Sequence, residues 1–248
     1  APEVGNIGVT IPPLPEQRAI AAFLDRETAR IDGLIAKKQR QIELLQEKRA
    51  ALISHAVTKG LDPDAPMKDS GIEWLGQIPE HWEVRKVKHL TTKIGSGKTP
   101  KGGAEIYVHS GVMFFRSQNV HFDGLRLDDV VFIEDDVDAE MPNTRVQPSD
   151  VLLNITGASL GRCCLVGEDL GRANVNQHVC IIRAHRSKIL PDYLCAAISS
   201  VVAQSQIFAS ENGTSREGLS FQQVGSLLIV VPPRIEEQVV INRHIRIR

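Results

Sequence analysis

Residues 24–56 have the sequence LDRETARIDGLIAKKQRQIELLQEKRAALISHA, which contains no proline and a single glycine. Apolar residues recur there in alternating steps of four and three, and most positions between them are charged. The apolar positions of this stripe are Leu24, Ile31, Ile35, Ile42, Leu45 and Leu52. The pattern predicts a coiled-coil-like helix over residues 15–58, roughly 60 Å long at 1.5 Å per residue. One helix cannot bury its own stripe, so the stripe predicts pairing with a second long helix.

The sequence changes character after Gly60. Residues 59–80 include Pro63 and Pro66 and are typical of an extended linker. Both tryptophans, Trp74 and Trp82, lie within 71–82. We expect these two side chains to anchor the linker onto the domain that follows.

The remainder of the chain contains short β-type runs separated by Gly, Asn, Asp and Pro. These runs cover residues 112–115, 130–133, 151–153, 179–182 and 227–231. Helices are predicted near 191–208, where Pro191 suits a first turn, and near 220–224. The fold class is therefore predicted to be α+β, with a mixed, twisted-sheet domain beside the long helix.

A short pattern occurs at both ends of this arrangement. Residues 9–17 read VTIPPLPEQ, and residues 230–238 read VVPPRIEEQ, with one extra residue between the prolines and the Glu-Gln pair. Each copy is a β-type run, a Pro-Pro stop and a helix start. The repeat predicts that a second long helix begins after the sheet domain.

Overall composition limits the possible functions. The 248 residues carry a formal net charge of −1 and are 42% hydrophobic. Near-neutrality argues against tight DNA binding by an isolated module, since phosphate neutralisation supplies most non-specific affinity. The four cysteines have no zinc-type spacing, and no apolar run reaches the roughly 18 residues of a membrane span. We predict a reduced, cytoplasmic protein with no metal, no cofactor and no membrane contact.

Several motifs, taken together, resemble the specificity subunits of type I restriction–modification systems. The pattern PPLPEQ at 12–17 precedes the long helix, and IEWLGQIPEHW at 72–82 resembles the entry to a target recognition domain. The segments DVLLNITGASLGR at 150–162 and NVNQH at 174–178 follow, and GLS at 218–220 leads to Pro232 and Pro233. The order and spacing of these motifs extend the resemblance over essentially the whole chain.

The resemblance implies a non-catalytic subunit that directs partner enzymes to a bipartite site in double-stranded DNA. It implies methyltransferase subunits and a restriction motor-nuclease as partners, and a second long helix from another part of the chain or another copy. The implied organisation is the tail of a preceding recognition domain at 1–14, a spacer helix at 15–58, a linker at 59–80, a recognition domain at 81–231, and the start of a second spacer helix at 232–248. A fragment, a truncated subunit and a half-sized subunit are all compatible with it.

Loops rich in amides and cations are the candidate DNA contacts. Arg can bind guanine and Gln or Asn can bind adenine through two hydrogen bonds, while Lys suits the phosphate backbone. The candidate residues are Lys98, Lys101, Arg116, Gln118, Asn119, Thr156, Arg162, Asn176, Gln177, His178, Ser215 and Arg216. The alternative for each is an ordinary solvated loop or turn residue. Alternation along an extended strand would place Arg116 and Gln118 on one face and Asn119 on the other.

Two other functions remain open from the sequence. Residues 95–99, GSGKT, resemble the end of a phosphate-binding loop, which would make the chain a nucleotide-binding enzyme. That motif requires a glycine at position 92, where this chain has Thr92. The second alternative is a coiled-coil scaffold whose globular part binds protein.

Overall fold

The computed structural model describes residues 10–100, 102–211 and 218–247. Lys101, Ser215 and Arg216 therefore lie outside the described residues. Contacts divide the chain into a first unit, residues 1–48, and a second unit, residues 49–248.

A single helix, α1, runs from Leu14 to Lys59 and is 46 residues long. Its composition favours a helix, because Ala, Leu, Glu, Gln, Lys and Arg dominate it. The apolar stripe is largely uncovered: Leu24, Ile31 and Ile35 are 55%, 54% and 57% exposed, and Ile42 and Leu45 are 52% and 58% exposed. These exposed side chains extend over the part of α1 that belongs to the first unit.

The second unit contains thirteen strands and five further helices within the described residues. The strands are β1 (Met67–Asp69), β2 (Gln77–Pro79), β3 (Glu83–Lys86), β4 (Thr91–Ser96), β5 (Val112–Phe115), β6 (Val120–His121), β7 (Gly124–Leu125), β8 (Val131–Ile133), β9 (Val151–Asn154), β10 (Cys163–Leu165), β11 (Ala173–Val175), β12 (Val179–Ala184) and β13 (Leu228–Val231). The helices are α2 (Asp135–Ala139), α3 (Pro191–Ser199), α4 (Val201–Glu211), α5 (Phe221–Ser226) and α6 (Ile235–Ile247). The predicted combination of a long helix and a mixed sheet domain is confirmed.

Two small sheets form the centre of this unit. One has the antiparallel order β10-β9-β12-β4, and the other has the order β11-β5-β8, in which β11 and β5 are parallel. The pairs β1–β2, β3–β13 and β6–β7 complete the strand pairing. Leu152 and Ile181 pack with Phe115 from the second sheet, while Leu153 and Ile182 pack with helix α3. Burial on both faces explains why β9 and β12 are continuous apolar runs.

Residues 59–80 are ordered on the second unit. They contain the β1–β2 hairpin, and Ile78 and Trp82 are 1% and 0% exposed within the main core. Trp82 therefore anchors this segment as expected. The same expectation for Trp74 is wrong, because its side chain is 53% exposed.

The helical segment predicted near 191–208 contains a sharp bend. Helices α3 and α4 are separated by Ser200, and their axes differ by 62°. The Ser200 hydroxyl donates to the Ala197 carbonyl at 2.6 Å, so this side chain bonds the preceding turn where the helix breaks. Helix α3 thereby packs on the sheet while α4 turns toward β13.

The repeated Pro-Pro and Glu-Gln pattern forms the same bond in both copies. Gln17 Nε2 donates to the Pro12 carbonyl at 2.7 Å, and Gln238 Nε2 donates to the Pro232 carbonyl at 3.1 Å. Gln238 is fully buried and also accepts the Leu190 backbone N–H at 2.8 Å. Gln17, in contrast, is exposed. The repeat therefore marks two helix starts of the same construction, and in the second copy the glutamine fastens α6 to the domain.

Two buried carboxylates are paired with arginines. Asp150 is 1% exposed and accepts two bonds from Arg183, at 2.7 and 2.8 Å. Asp138 is also 1% exposed and accepts from Arg145 at 2.8 Å and Arg172 at 3.0 Å. Burial raises the pKa of Asp138, but hydrogen bonds from Arg145, Asn174 and Arg172 outweigh burial and hold that pKa below its ordinary value.

Candidate nucleic-acid interface

One edge of the four-stranded sheet gathers polar loops from distant parts of the sequence. Strand β9 ends there at Asn154, opposite Val179 at the start of β12. Strand β10 starts beside it, with Cys163 opposite Leu153, and β4 ends beside it, with Ser96 opposite Cys180. The loops that continue from these strand ends must therefore lie close together.

The second sheet brings two more segments to this edge. Strands β5 and β11 are parallel, with Phe115 opposite Val175, so the residues after them emerge on the same side. The Asn176 backbone N–H donates to the Phe115 carbonyl at 3.0 Å. We call residues 97–98, 116–118, 154–162 and 176–178 the loop cluster.

Gly97 allows two of these loops to touch. A Cβ atom at this position would lie 1.6 Å from the Val175 carbonyl oxygen and 2.7 Å from the Asn176 carbonyl oxygen. The Gly97 N–H donates to the Asn176 carbonyl at 3.0 Å. In the sequence, Gly97 belongs to the GSGKT stretch that resembles a nucleotide-binding motif, whereas its role in the structure is this close backbone approach. No sequence signal identifies Val175 as its neighbour.

Asn154 connects two other members of the loop cluster. Its side chain is fully buried, and its Nδ2 donates to the Ser117 carbonyl at 2.7 Å and to Ser159 Oγ at 3.0 Å. The Ile155 N–H donates to the His178 carbonyl at 3.0 Å. These bonds fix the 116–118 loop and the 176–178 loop against the end of β9.

A hydrogen-bonded chain of three side chains extends toward solvent. Thr156 Oγ1 lies 2.6 Å from His178 Nδ1, and Gln177 Nε2 lies 2.7 Å from His178 Nε2. The His178 backbone N–H donates to Asn176 Oδ1 at 3.0 Å. Thr156, Asn176 and His178 are half-buried, and Gln177 is exposed. Thr156 of the 154–162 loop and His178 of the 174–178 loop, both predicted from the sequence, are thus in direct contact.

Lys98, Gln118 and Gln177 are the loop-cluster candidates whose side chains are exposed, and Arg162 at the start of β10 is half-buried. Asn119 is fully buried instead. Its Oδ1 accepts the Arg116 N–H and its Nδ2 donates to the Arg126 carbonyl, each at 2.9 Å. Residues 117–119 form a 3-10 turn, so the strand-like alternation expected there is wrong. Asn119 shapes this turn and is not available at the surface.

Arg116 is held within the domain. Its Nη2 donates to the Asp129 carbonyl at 2.9 Å, and its guanidinium carbon lies 5.7 Å from the centre of the Tyr107 ring. These contacts direct the charge of Arg116 toward its own domain. Lys98 is therefore the exposed cation of the loop cluster within the described residues.

The backbone of residues 95–100 argues against the nucleotide-binding alternative. Gly95 and Ser96 belong to strand β4, and residues 97–100 have no helical structure. A phosphate-binding loop requires a helix that starts at its Lys-Thr pair, so that backbone N–H groups surround the phosphate. Lys98 and Thr99 do not start a helix.

The described residues contain no cluster of three or more His, Cys, Asp or Glu side chains that could hold a metal ion. None of the single helices described is long and apolar enough to cross a membrane. The bent pair α3–α4 passes that test by length and composition alone.

Comparisons with curated proteins identify relatives along nearly the whole chain. The EcoBI and EcoKI specificity subunits of type I restriction enzymes, both from Escherichia coli, are each 26% identical to it over 95% and 96% of its length. The MjaVIII specificity subunit of Methanocaldococcus jannaschii is 31% identical over 65% of the chain. This chain is similar in sequence to type I restriction enzyme specificity subunits along nearly its whole length.

The chain spans about half the length of the curated relatives it matches. It covers 36% of the MjaVIII subunit and 50% of the EcoBI and EcoKI subunits. No protein-family model matches it.

Solved structures of specificity subunits share its fold. The HsdS subunit from Thermoanaerobacter tengcongensis superposes with a TM-score of 0.52 at 19% identity, over 95% of this chain and 51% of that one. The S subunit from M. genitalium superposes with a TM-score of 0.55 at 15% identity, over 94% of this chain and 54% of that one. A chain from a structure of the assembly and conformational transition of the type I R-M system superposes with a TM-score of 0.59 at 18% identity, over 95% of this chain and 52% of that one.

Proposed function

We propose that this chain recognises a specific sequence in double-stranded DNA and thereby directs the enzymes of a type I restriction–modification complex. The observation that carries the proposal is the loop cluster, in which four segments that are distant in sequence converge on one edge of the four-stranded sheet. Direct base readout requires side chains of mixed donor and acceptor character held in fixed positions. Gln118 and Gln177 carry exposed amides of that character, and hydrogen bonds from Asn154 and Ile155 fix the loops on which they lie.

The side chains of the loop cluster differ in the kind of DNA contact that their chemistry suits. Lys98 lies on a loop whose backbone is fixed by Gly97, and a lysine there suits a phosphate contact that sets the register of the protein on DNA. Gln118 and Gln177 carry amides that suit base edges. Arg162, Thr156, Asn176 and His178 are less exposed and support the loops. We retain Lys101, Ser215 and Arg216 as proposed contacts on sequence grounds alone.

The exposed stripe of helix α1 supports a second part of the proposal. Five apolar side chains more than half exposed along one helix face are unfavourable in water and mark a packing surface. We propose that a second long helix pairs with Leu24, Ile31, Ile35, Ile42, Leu45 and Leu52, and that the paired helices bind methyltransferase subunits. The restriction motor-nuclease would join through that complex, in the cytoplasm.

In this proposal the chain is non-catalytic, and the chemistry belongs to its partners. The relatives are named as specificity subunits of restriction enzymes. The organisation into a spacer helix at 15–58, a recognition domain at 81–231 and a second helix start at 232–248 remains part of the proposal.

Selection of duplexes from a random DNA library tests this function. The chain is incubated with the library, alone and with its cognate methyltransferase subunit, at a stated salt concentration, because phosphate contacts make affinity strongly salt-dependent. We expect enrichment of a short defined sequence. Stable association with the methyltransferase subunit and no enrichment would instead indicate a coiled-coil scaffold.

A further inference from the structure

Two segments that form neighbouring strands carry cations and no acidic residue. Residues 84–104, which include β4, contain six Lys or Arg residues and no Asp or Glu. Residues 170–191, which include β12, contain four Lys or Arg residues and again no Asp or Glu. Strands β4 and β12 pair with each other, with Lys93 opposite Arg183. Folding therefore brings two acid-free segments together along one side of the four-stranded sheet.

The two cations in the middle of these strands are engaged within the domain. Arg183 donates to both carboxylate oxygens of the buried Asp150, at 2.7 and 2.8 Å. Lys93 Nζ donates to the Asn143 carbonyl, and burial is the main cause that lowers the pKa of Lys93 below its ordinary value. Both side chains therefore stabilise the sheet, and neither is a candidate contact for a ligand.

A second group of cations lies beside the start of β4. The turn after β12 folds against this point, because the His185 N–H donates to the Leu90 carbonyl at 2.8 Å and Lys188 Nζ donates to the His89 carbonyl at 3.2 Å. We call Lys88, Arg186 and Lys188 the cationic patch, and all three residues are exposed. None of the ion pairs within the described residues includes a member of this patch.

Strand β4 connects the cationic patch to the loop cluster. It is the last strand of its sheet, and it runs from Thr91, beside the patch, to Ser96, beside Gly97 and Lys98. Six residues of strand extend roughly 20 Å. Phosphates along one strand of B-DNA are spaced about 3.4 Å along the helix axis, so this length corresponds to about six base pairs. One duplex is therefore long enough to contact Lys98 and the cationic patch together.

The net charge of the whole chain hides this concentration of positive charge. Residues 123–140 carry eight acidic residues and one basic residue, Arg126, so much of the compensating charge lies in another segment. A row of cations without interspersed acids attracts a polyanion, and phosphate contacts need no particular base sequence. We propose that the cationic patch binds the phosphate backbone of the same duplex, about six base pairs from the segment that the loop cluster reads. The inference rests on the proposed function, since it requires that the loop cluster reads DNA.

Removal of charge at the patch tests this contact. The variant Lys88→Gln with Arg186→Gln removes two charges from exposed side chains, so its thermal unfolding should match that of the wild-type chain. Each lost phosphate contact makes the slope of log affinity against log salt concentration less negative by about 0.9, so we expect a change of about 1.8. Between about 50 and 200 mM salt, the wild-type chain should then lose roughly 10-fold more affinity than the variant.

A matched control separates a local contact from the effect of net charge. Lys37→Gln with Lys68→Gln changes the net charge of the chain by the same amount at exposed residues outside the patch. This control should keep the wild-type salt slope. Each single variant, Lys88→Gln or Arg186→Gln, should produce about half of the slope change of the double variant, since each removes one of the two contacts.

The length of the DNA gives a second measurement. One duplex ends at the boundaries of the enriched sequence, and another extends about ten base pairs beyond it on both sides. We expect the wild-type chain and the control variant to bind the longer duplex more tightly, and the Lys88→Gln, Arg186→Gln variant to gain less from the extension. The ratio of affinities for enriched and scrambled duplexes should stay at the wild-type value, because phosphate contacts carry no direct sequence information.

Three results would overturn the proposals, each in a distinguishable way. A patch variant that matches the control in salt slope and in its response to duplex length removes the patch from the DNA interface and leaves the proposed function standing. Unchanged DNA binding together with loss of the methyltransferase subunit would assign the patch to an acidic protein surface instead. A wild-type chain that enriches no sequence at all contradicts the proposed function itself.

Discussion

Gly97 lies so close to Val175 that a Cβ atom at position 97 would be 1.6 Å from the Val175 carbonyl oxygen. This distance is far inside van der Waals contact, and the neighbour is backbone, which cannot move aside by rotating a side chain. The contact joins the end of β4 to the turn that carries Asn176, Gln177 and His178. The arrangement of the loop cluster therefore depends on the absence of a side chain at one position.

Gly97→Ala should displace the 97–98 loop from the 176–178 turn. We expect a loss of roughly 1–3 kcal/mol or more in the free energy of unfolding, as for overpacked buried sites, together with loss of sequence-specific DNA binding. Gly95→Ala is a matched control, because it lies in the same strand and a Cβ there meets nothing within 4 Å. Urea denaturation of both variants measures the difference. Equal stability of the two variants would contradict the close contact.

The exposed stripe of α1 predicts a loss of assembly when its centre becomes charged. Replacing Ile35 and Ile42 together with Asp should abolish pairing with a second long helix and binding of the methyltransferase subunit. Lys37→Asp with Arg40→Asp is the control, since both residues lie at least about 140° around the helix from Ile35. Co-purification with the methyltransferase subunit gives the readout. Retained assembly of the Ile35 and Ile42 variant would rule out packing through this stripe.

The buried carboxylate of Asp138 predicts a pH-dependent contribution to stability. Its pKa is held below the ordinary value of 3.8, so its stabilising effect is complete above that value and is lost as the pH falls through the lower pKa of the folded state. Asp138→Asn should lower the free energy of unfolding by about 1.5–3 kcal/mol at neutral pH, as expected for the loss of hydrogen bonds to a charged group.

Denaturation curves at several pH values test this effect. The stability difference between the wild-type chain and Asp138→Asn should shrink below pH 3.8, whereas exposed Asp128→Asn should differ little at any pH. A difference independent of pH would mean that the charge of Asp138 contributes nothing.

The two glutamines of the repeat predict unequal effects of the same substitution. Gln238→Ala removes the hydrogen bonds to Leu190 and Pro232 and leaves the Leu190 N–H without its acceptor. We expect the free energy of unfolding to fall by roughly 2–3 kcal/mol. Gln17→Ala removes one bond at an exposed helix start, and we expect a change within about 0.5 kcal/mol. Thermal unfolding of the two variants compares them directly. Equal effects would contradict a docking role for Gln238.

The elements of this fold were largely predictable because their signals are local. The stripe from Leu24 to Leu52 specifies a long helix by its spacing, and the apolar runs that became β9 and β12 specify buried strands. The 3-10 turn at 117–119 was not predictable, because it depends on the Asn119 side chain bonding the Arg116 and Arg126 backbone. Gln118 and Asn119 are neighbours of similar chemistry, and tertiary packing alone makes the first exposed and the second buried.

The candidate site was predictable as a set of loops but not as an arrangement. Gly, Asn and Gln mark the loops at 95–101, 154–162 and 174–178, whereas their convergence depends on strand pairing across long stretches of sequence. Arg116 illustrates the limit, since its guanidinium group suits guanine but contacts Asp129 and Tyr107 of its own domain. The relation between Thr156 and His178, 22 residues apart, likewise appears only in the folded chain.

One measurement tests most directly whether the loop cluster reads DNA. It is the ratio of the affinities for the enriched duplex and for a scrambled duplex. This ratio is measured for Lys98→Ala and for Gln177→Ala across a series of salt concentrations. We expect Lys98→Ala to weaken both duplexes alike and to reduce the salt slope by about 1, because it removes a phosphate contact. Gln177→Ala should lower the affinity ratio and leave binding to the scrambled duplex unchanged. If both variants match the wild-type chain on both duplexes, the loop cluster does not contact DNA.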